Sequence, residues 1–209
     1  MTALTHYLAT ALETNGITLP KDACAKLITY LDLVVQWNKI FNLTSITDPK
    51  EMVMLHLLDS LIVESFLLGD EVIDVGTGAG FPGIPLALAR PEKNFVLLDS
   101  NSKKTRFLTH VVHTLGLKNV TVVHARCENF REKCFTSVIT RAFATLATML
   151  HATEHLLQTD GQFLAMKGLS PTTELAAVPN HFKVVAVTPL IIKGCDVTRH
   201  IVCITRLKN

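Results

Sequence analysis

Apolar residues recur every three to four positions through the first third of the chain, then give way to short continuous runs. Leu4, Leu8 and Leu12 share one face of a helix predicted over residues 2–15, which Asn15-Gly16 ends. Pro20 suits the opening of a second helix, and Leu27, Ile28, Leu31, Val34 and Val35 give it one apolar face as far as about Trp37. Residues 38–47 read as loop. A third helical stretch is expected over about 50–67, broken or bent near His56-Leu57-Leu58-Asp59-Ser60. No strand is expected in this part, so residues 1–68 form a helical extension to a second unit, 69–209.

From Glu71 the period changes. Strands are predicted at 72–75, 94–98, 120–123, 137–140 and 162–166, alternating with helices at 82–89, 101–115, 145–157 and a short one at 172–177. Such alternation implies a parallel sheet with crossovers. Two β-rich runs close the chain, 182–187 and 200–205, joined by a segment short enough for a hairpin. A dehydrogenase would instead repeat its βαβ half.

Between the first strand and its helix, Gly76, Gly78, Gly80 and Gly83 fall within eight residues. Glycine permits positive φ and a close approach of ligand to main chain, and a following helix offers free N–H groups. Gly78 to Gly83 fits G-x-G-x-x-G, and Asp99 lies 21 residues beyond Gly78, as a dinucleotide fingerprint asks. Asp74 inside the strand end, the alternation Gly76-x-Gly78-x-Gly80, and Pro82 where a pyrophosphate would want an N–H favour another reading. The arrangement resembles the first motif of class I S-adenosylmethionine-dependent methyltransferases, and the strand pattern resembles their seven-stranded mixed sheet with its C-terminal hairpin.

Ligands of open α/β sheets bind outside the carboxyl ends of the strands. Asp99 there can accept from both ribose hydroxyls, or cap the helix opening at Asn101. Cys127 and Glu128 follow the third strand, either beside an adenine ring and its amine or in plain surface loop. Arg141 follows the fourth strand, Lys167 the fifth, and Arg199 opens the last run. These three, with Lys103, Lys104, Arg106 and Lys193, could rim the site and contact RNA phosphates or a base edge, or simply be solvated. Trp37 could stack on an unpaired base, but is better read as locking the helical flank to the sheet.

Composition narrows this only partly. The 209 residues are 48% hydrophobic with a net charge of +2, too weak to demand a nucleic-acid partner. Five cysteines without a C-x-x-C pair read as reduced, in a cytoplasmic protein, with Cys24 and Cys203 as core filler. No signal peptide is read at the N-terminus. The most apolar helical run, Leu55 to Leu68, carries Asp59 and Glu64 and is too short to span a bilayer. No long apolar seam is evident, so a monomer is expected.

Longer phrases are more specific: WNKIFNLTSI at 37–46, HLLDS at 56–60, VIDVGTGAGFPGIPLA at 72–87, LLDSNSKKTRFL at 97–108, ITRAFA at 139–144, MKG at 166–168 and RHIV at 199–202. In this order they resemble the bacterial 16S rRNA guanine-N7 methyltransferases of the glucose-inhibited-division B family, and the resemblance covers nearly the whole chain. It implies S-adenosylmethionine as cofactor, contacts at Gly76, Phe81, Cys127, Glu128 and Arg141, and as substrate a guanine in the decoding-region loop of 16S rRNA, naked or in the small ribosomal subunit. Cys127 departs from the small aliphatic residue expected there. Gly78 and Asp99 complete the cofactor set read from the loop and the second strand. The motifs of other base methylations are missing: Thr140-Arg141-Ala142-Phe143 holds no proline, and neither Cys127 nor Cys134 lies in a Pro-Cys phrase. Guanine N7 has a free lone pair and no proton to lose, so alignment suffices and no catalytic base is assigned.

Three rivals were weighed. His151-x-x-Glu154-His155 matches an inverted zinc-protease pattern, but two exposed histidines on a crossover helix are the simpler account, and no metal site is expected. An NAD(P)-dependent oxidoreductase is allowed by the glycine loop and disfavoured by Pro82 and the hairpin. A non-catalytic ribosome-binding protein on a methyltransferase scaffold is disfavoured by the intact loop with Asp99 and Glu128.

Overall fold

The computed structural model describes residues 3–168 and 171–207. Helices α1 (Ala3–Thr14) and α2 (Ala23–Phe41) come first. A continuous helical segment follows, made of α3 (Pro49–Met52), a π-helical turn (Val53–Leu58) and α4 (Asp59–Leu61). Then come β1 (Glu71–Val75), α5 (Gly83–Ala89), β2 (Asn94–Asp99), α6 (Ser102–Leu115), β3 (Val120–His124), β4 (Phe135–Arg141), α7 (Leu146–Thr153), β5 (Leu157–Lys167), α8 (Thr172–Leu175), β6 (Phe182–Leu190) and β7 (Arg199–Arg206). Seven strands form one sheet in the order β3-β2-β1-β4-β5-β7-β6. The first five pair in parallel, and β7 runs antiparallel to both β5 and β6.

Successive strand residues point to opposite faces, so each strand feeds two cores. Val72, Leu97, Ile139 and Leu164 join Leu8, Leu27, Leu57, Ile84 and Phe107 on one face. Ile73, Leu98, Val138 and Phe163 join Phe130, Leu150 and Phe182 on the other. The N-terminal helices therefore share their core with α5, α6 and the sheet. Tyr30, fully buried on α2, donates its hydroxyl to Ala79 O at 2.6 Å and so ties the extension to the glycine turn.

The expected elements are present with shifted ends. Of the expected first helix, Thr2 lies outside the described residues. Helix α2 begins at Ala23 and continues through Phe41, four residues past the expected end. Trp37 and Phe41 pack one turn apart, and Asn42, at φ 49°, ends the helix in the left-handed region with its N–H on Asn38 O. The Trp37 ring packs on Phe107 and His110 of α6, so it locks the flank to that helix rather than to a strand. Asp48 caps α3, its Oδ1 accepting from the N–H groups of Lys50 and Glu51 at 2.9 Å each. The expected bend at 56–60 is the π-helical turn. Helix α7 stops at Thr153, a 3-10 turn covers Glu154–Leu156, and β5 starts at Leu157, where a helix was expected to continue. His155 is half-buried, not exposed: its Nε2 lies 3.1 and 3.0 Å from the carbonyls of Cys127 and Phe130. Glu154 meets His181 at 3.2 Å, and no cluster of three metal-ligating side chains occurs among the described residues. No helix is long and apolar enough to cross a membrane.

Candidate active site: two clefts at the carboxyl edge

The glycine turn is held from beneath by Asp74. This carboxylate is wholly buried, and its Oδ2 accepts from Thr77 Oγ1 at 2.7 Å and from Gly83 N at 2.9 Å, while Oδ1 has no partner. Burial pushes its carboxyl up to about 6, against partial relief from those two bonds. A methyl group at Gly83 would sit 2.2 Å from Leu97 Cδ2 and 2.8 Å from Asp74 Oδ2, so only glycine fits. Above the turn, Asp99 takes Gly78 N on Oδ2 at 2.9 Å and Asn101 N on Oδ1 at 2.8 Å. Asn101, not Asp99, caps α6, its side chain accepting from Lys103 N.

Beside this turn lies a cleft of about 180 Å³, whose lining includes Gly76, Asp99, Ala125, Cys127, Glu128 and Phe143. Gly76, at φ 70°, keeps the space open: a Cβ there would press to 3.2 Å on the Phe143 ring. The Cys127 thiol is buried, and desolvation, then the Glu128 charge, pushes it up to about 11, so it stays protonated near neutral pH. The exposed Glu128 carboxyl is held below its usual range, chiefly by a hydrogen bond from its own backbone. A shielded acid at Asp99, an ionised acid at Glu128 and a glycine floor fit a nucleoside, with hydroxyl and amine donors meeting the carboxylates.

A second cleft, about 390 Å³, adjoins it across Ala142, which holds φ 53° between Arg141 and Phe143. Its centre is Asp59, 2% exposed. Asp59 Oδ2 accepts from Arg141 Nη1 at 3.1 Å, and Oδ1 accepts from Arg199 Nε at 2.8 Å. Arg141 also donates to Leu55 O at 3.3 Å and from Nη2 to His56 Nδ1 at 3.5 Å, and its guanidinium lies 5.3 Å from the Phe81 ring. His56 stacks on Phe81 at 4.4 Å, and its Nε2 bonds Thr44 Oγ1 at 2.8 Å. Burial, then the Arg141 charge, lowers the imidazole to about 4, so it is neutral near pH 7. Lys167 donates to Ala144 O at 3.0 Å and to Glu174 at 2.8 Å, and that carboxylate also accepts from Leu146 N at the start of α7.

A family model described as GidB, rRNA small subunit methyltransferase G, matches residues 23–202. The chain belongs to the rRNA small subunit methyltransferase G family. It is 45% identical over 202 residues to ribosomal RNA small subunit methyltransferase G of Erwinia tasmaniensis, which covers 96% of this chain and 98% of that one. It is 45% identical over 212 residues to the protein of the same name from Pseudomonas aeruginosa, covering 99% of both. In fold it is similar to a SAM-dependent methyltransferase from Aquifex aeolicus, with TM-score 0.58 and 17% identity, over 77% of this chain and 94% of that one. Family and fold together make it a methyltransferase that uses S-adenosylmethionine.

Against this methyltransferase frame, the expected cofactor residues divide. Gly76, Asp99, Cys127 and Glu128 line the nucleoside-sized cleft. Gly78 contributes its N–H to Asp99 and stands next to the Lys104 ammonium. Phe81 is buried under His56 and against Tyr30, off that lining, and Arg141 lines the cationic cleft together with Lys167 and Arg199. Lys193 lines neither cleft; its backbone amide bonds Asn15. Asp59, His56 and Thr44 were not singled out as site residues. HLLDS matched the family phrase, but its period reads as ordinary helix.

Proposed function

We propose that the protein methylates N7 of a guanine in the decoding-region loop of 16S rRNA. The observation that carries this reading is the juxtaposition of a nucleoside-sized cleft and a cationic cleft, joined at Arg141-Ala142-Phe143. S-adenosylmethionine, when bound, supplies an electrophilic methyl group on a sulfonium sulfur. Asp99 and Glu128 would accept from its hydroxyl and amine donors, and Gly76 leaves room for it. Arg141 and Arg199, fixed on Asp59, orient the RNA beside it. No residue of either cleft is poised as a base. The Cys127 thiol is protonated, and the His56 ring is neutral with both nitrogens engaged. Guanine N7 needs none, since it attacks through a lone pair that carries no proton. Reduced cysteines and a ribosomal substrate support a cytoplasmic enzyme, acting as a monomer.

Two measurements test the reading. Calorimetric titration should show binding of S-adenosylmethionine and none of NADH. Incubation with methyl-labelled cofactor and small ribosomal subunits, or naked 16S rRNA, should then place label at N7 of one guanine. NADH binding would revive the oxidoreductase reading. Cofactor binding without label in either RNA would favour a non-catalytic ribosome-binding protein.

A further inference from the structure

The cationic cleft has the size of a small-molecule site and an apolar lining from Ile46, Leu55, Ala142 and Met166 that suits a flat ring. Most of its polar groups are already engaged. Both Asp59 oxygens hold a guanidinium, both His56 nitrogens have partners, and Lys167 is tied to Ala144 and Glu174. Arg141 uses both terminal nitrogens. Arg199 differs: Nε is on Asp59, Nη1 is on Thr198 O at 3.1 Å, and Nη2 has no acceptor among the described residues. Gly168 leaves room for this side chain, since even a Cβ there would be 4.0 Å from Nη1.

We propose, on the basis of the methyl-transfer reading above, that this cleft takes the target base and that Arg199 selects guanine by donating from Nη2 to its 6-oxo oxygen. Guanine presents O6 and N7 as adjacent acceptors, whereas adenine puts an amino donor at position 6. An arginine with two free nitrogens would grip O6 and N7 together, the usual bidentate contact, and would occupy the lone pair that must attack. Anchoring Nε and Nη1 elsewhere leaves one donor. That donor can satisfy O6 and leave N7 free. Asp59 is then a positioning residue, acting through Arg199, and adenine is refused because donor would face donor.

The test uses the unaltered enzyme and 16S rRNA ligated around a synthetic segment, with the methylated guanosine replaced in turn by inosine, adenosine or 2-aminopurine riboside. All four offer N7, but only guanosine and inosine carry the 6-oxo group. The expected kcat/KM for inosine is within about threefold of guanosine, with a loss of at least ~10-fold for the other two. Equal methylation of 2-aminopurine, or rejection of inosine, would overturn the inference while leaving the methyltransferase reading standing. No label in guanosine RNA would overturn both. Arg199→Met, with its cofactor affinity confirmed by calorimetry, should slow guanosine and leave 2-aminopurine unchanged. If both substrates slow equally, Arg199 acts through charge on the RNA and does not read the base.

Discussion

The nucleoside cleft is assembled from residues at or just past the ends of β1, β2, β3 and β4, and its key bonds are to backbone: Asp99 holds the N–H groups of Gly78 and Asn101. The cationic cleft is assembled from side chains alone, with Asp59 from the N-terminal segment bonded to Arg141, 82 positions on, and Arg199, 140 positions on. One is fixed by local turns and tolerates changes elsewhere in the fold. The other exists only when the extension, β4 and β7 have all docked, so it reports on the whole molecule. A binding pocket can thus be pre-formed by backbone, while the adjoining groups that orient a macromolecule are set by a single buried carboxylate.

The largest expected effect comes from removing that carboxylate. Asp59→Ala strands two part-buried guanidiniums and should lower stability by about 3–5 kcal/mol, the usual result of breaking a buried pair from one side. At a temperature where the variant remains folded, methyl transfer should fall at least ~100-fold, with cofactor affinity by calorimetry within about threefold. A matching loss of cofactor affinity would mean that the two clefts are one energetic unit. Next, Asp99→Ala should weaken cofactor binding at least ~10-fold and leave RNA binding by filter assay unchanged, the mirror image of the first variant.

A subtler contrast lies in pH dependence, because each cleft carries one perturbed group. For His56, lowered from 6.5 to about 4, the unfolded chain binds a proton that the folded one does not, so its contribution to stability rises with pH between those values. For Asp74, raised from 3.8 to about 6, the folded chain keeps the extra proton, so its contribution falls with pH over nearly the same range. The two slopes oppose each other. Urea midpoints at about pH 4.5 and 6 should show His56→Gln losing stability as pH rises and Asp74→Asn gaining it, each relative to the unaltered protein. The smallest effect expected is that of Tyr30→Phe, which removes the bond to Ala79 O and should cost about 1–2 kcal/mol with kcat/KM nearly unchanged. A large loss of activity instead would show that the turn depends on the extension for its geometry.

What could be read in advance follows the same division. The alternation of apolar runs with helical periods defined the sheet and its closing hairpin, and the spacing from Gly78 to Asp99 marked a contact that the fold makes directly, N–H to carboxylate. The ends of elements were less legible. Leu156-Leu157 suits either a helix or a strand, so burial alone does not tell where β5 begins, and Asn38 stops nothing because the stop is Asn42. Arg141 and Arg199 were marked by chemistry and by family phrases. Their shared partner was not, because an aspartate in an otherwise apolar helix gives no sign of which of many distant cations it will meet.

The π-helical turn at Val53–Leu58 carries a consequence for how this region can vary. Such a turn amounts to an α-helix with one residue added, and the surplus sets the angular phase of everything after it. Deleting a single residue within it would restore a regular, intrinsically sturdier helix. Asp59 would then swing by about 100° around the axis, away from both arginines. Length here is constrained as strictly as identity: a shortened chain could fold with nearly all its apolar contacts in place and still have lost the carboxylate on which its second cleft is built.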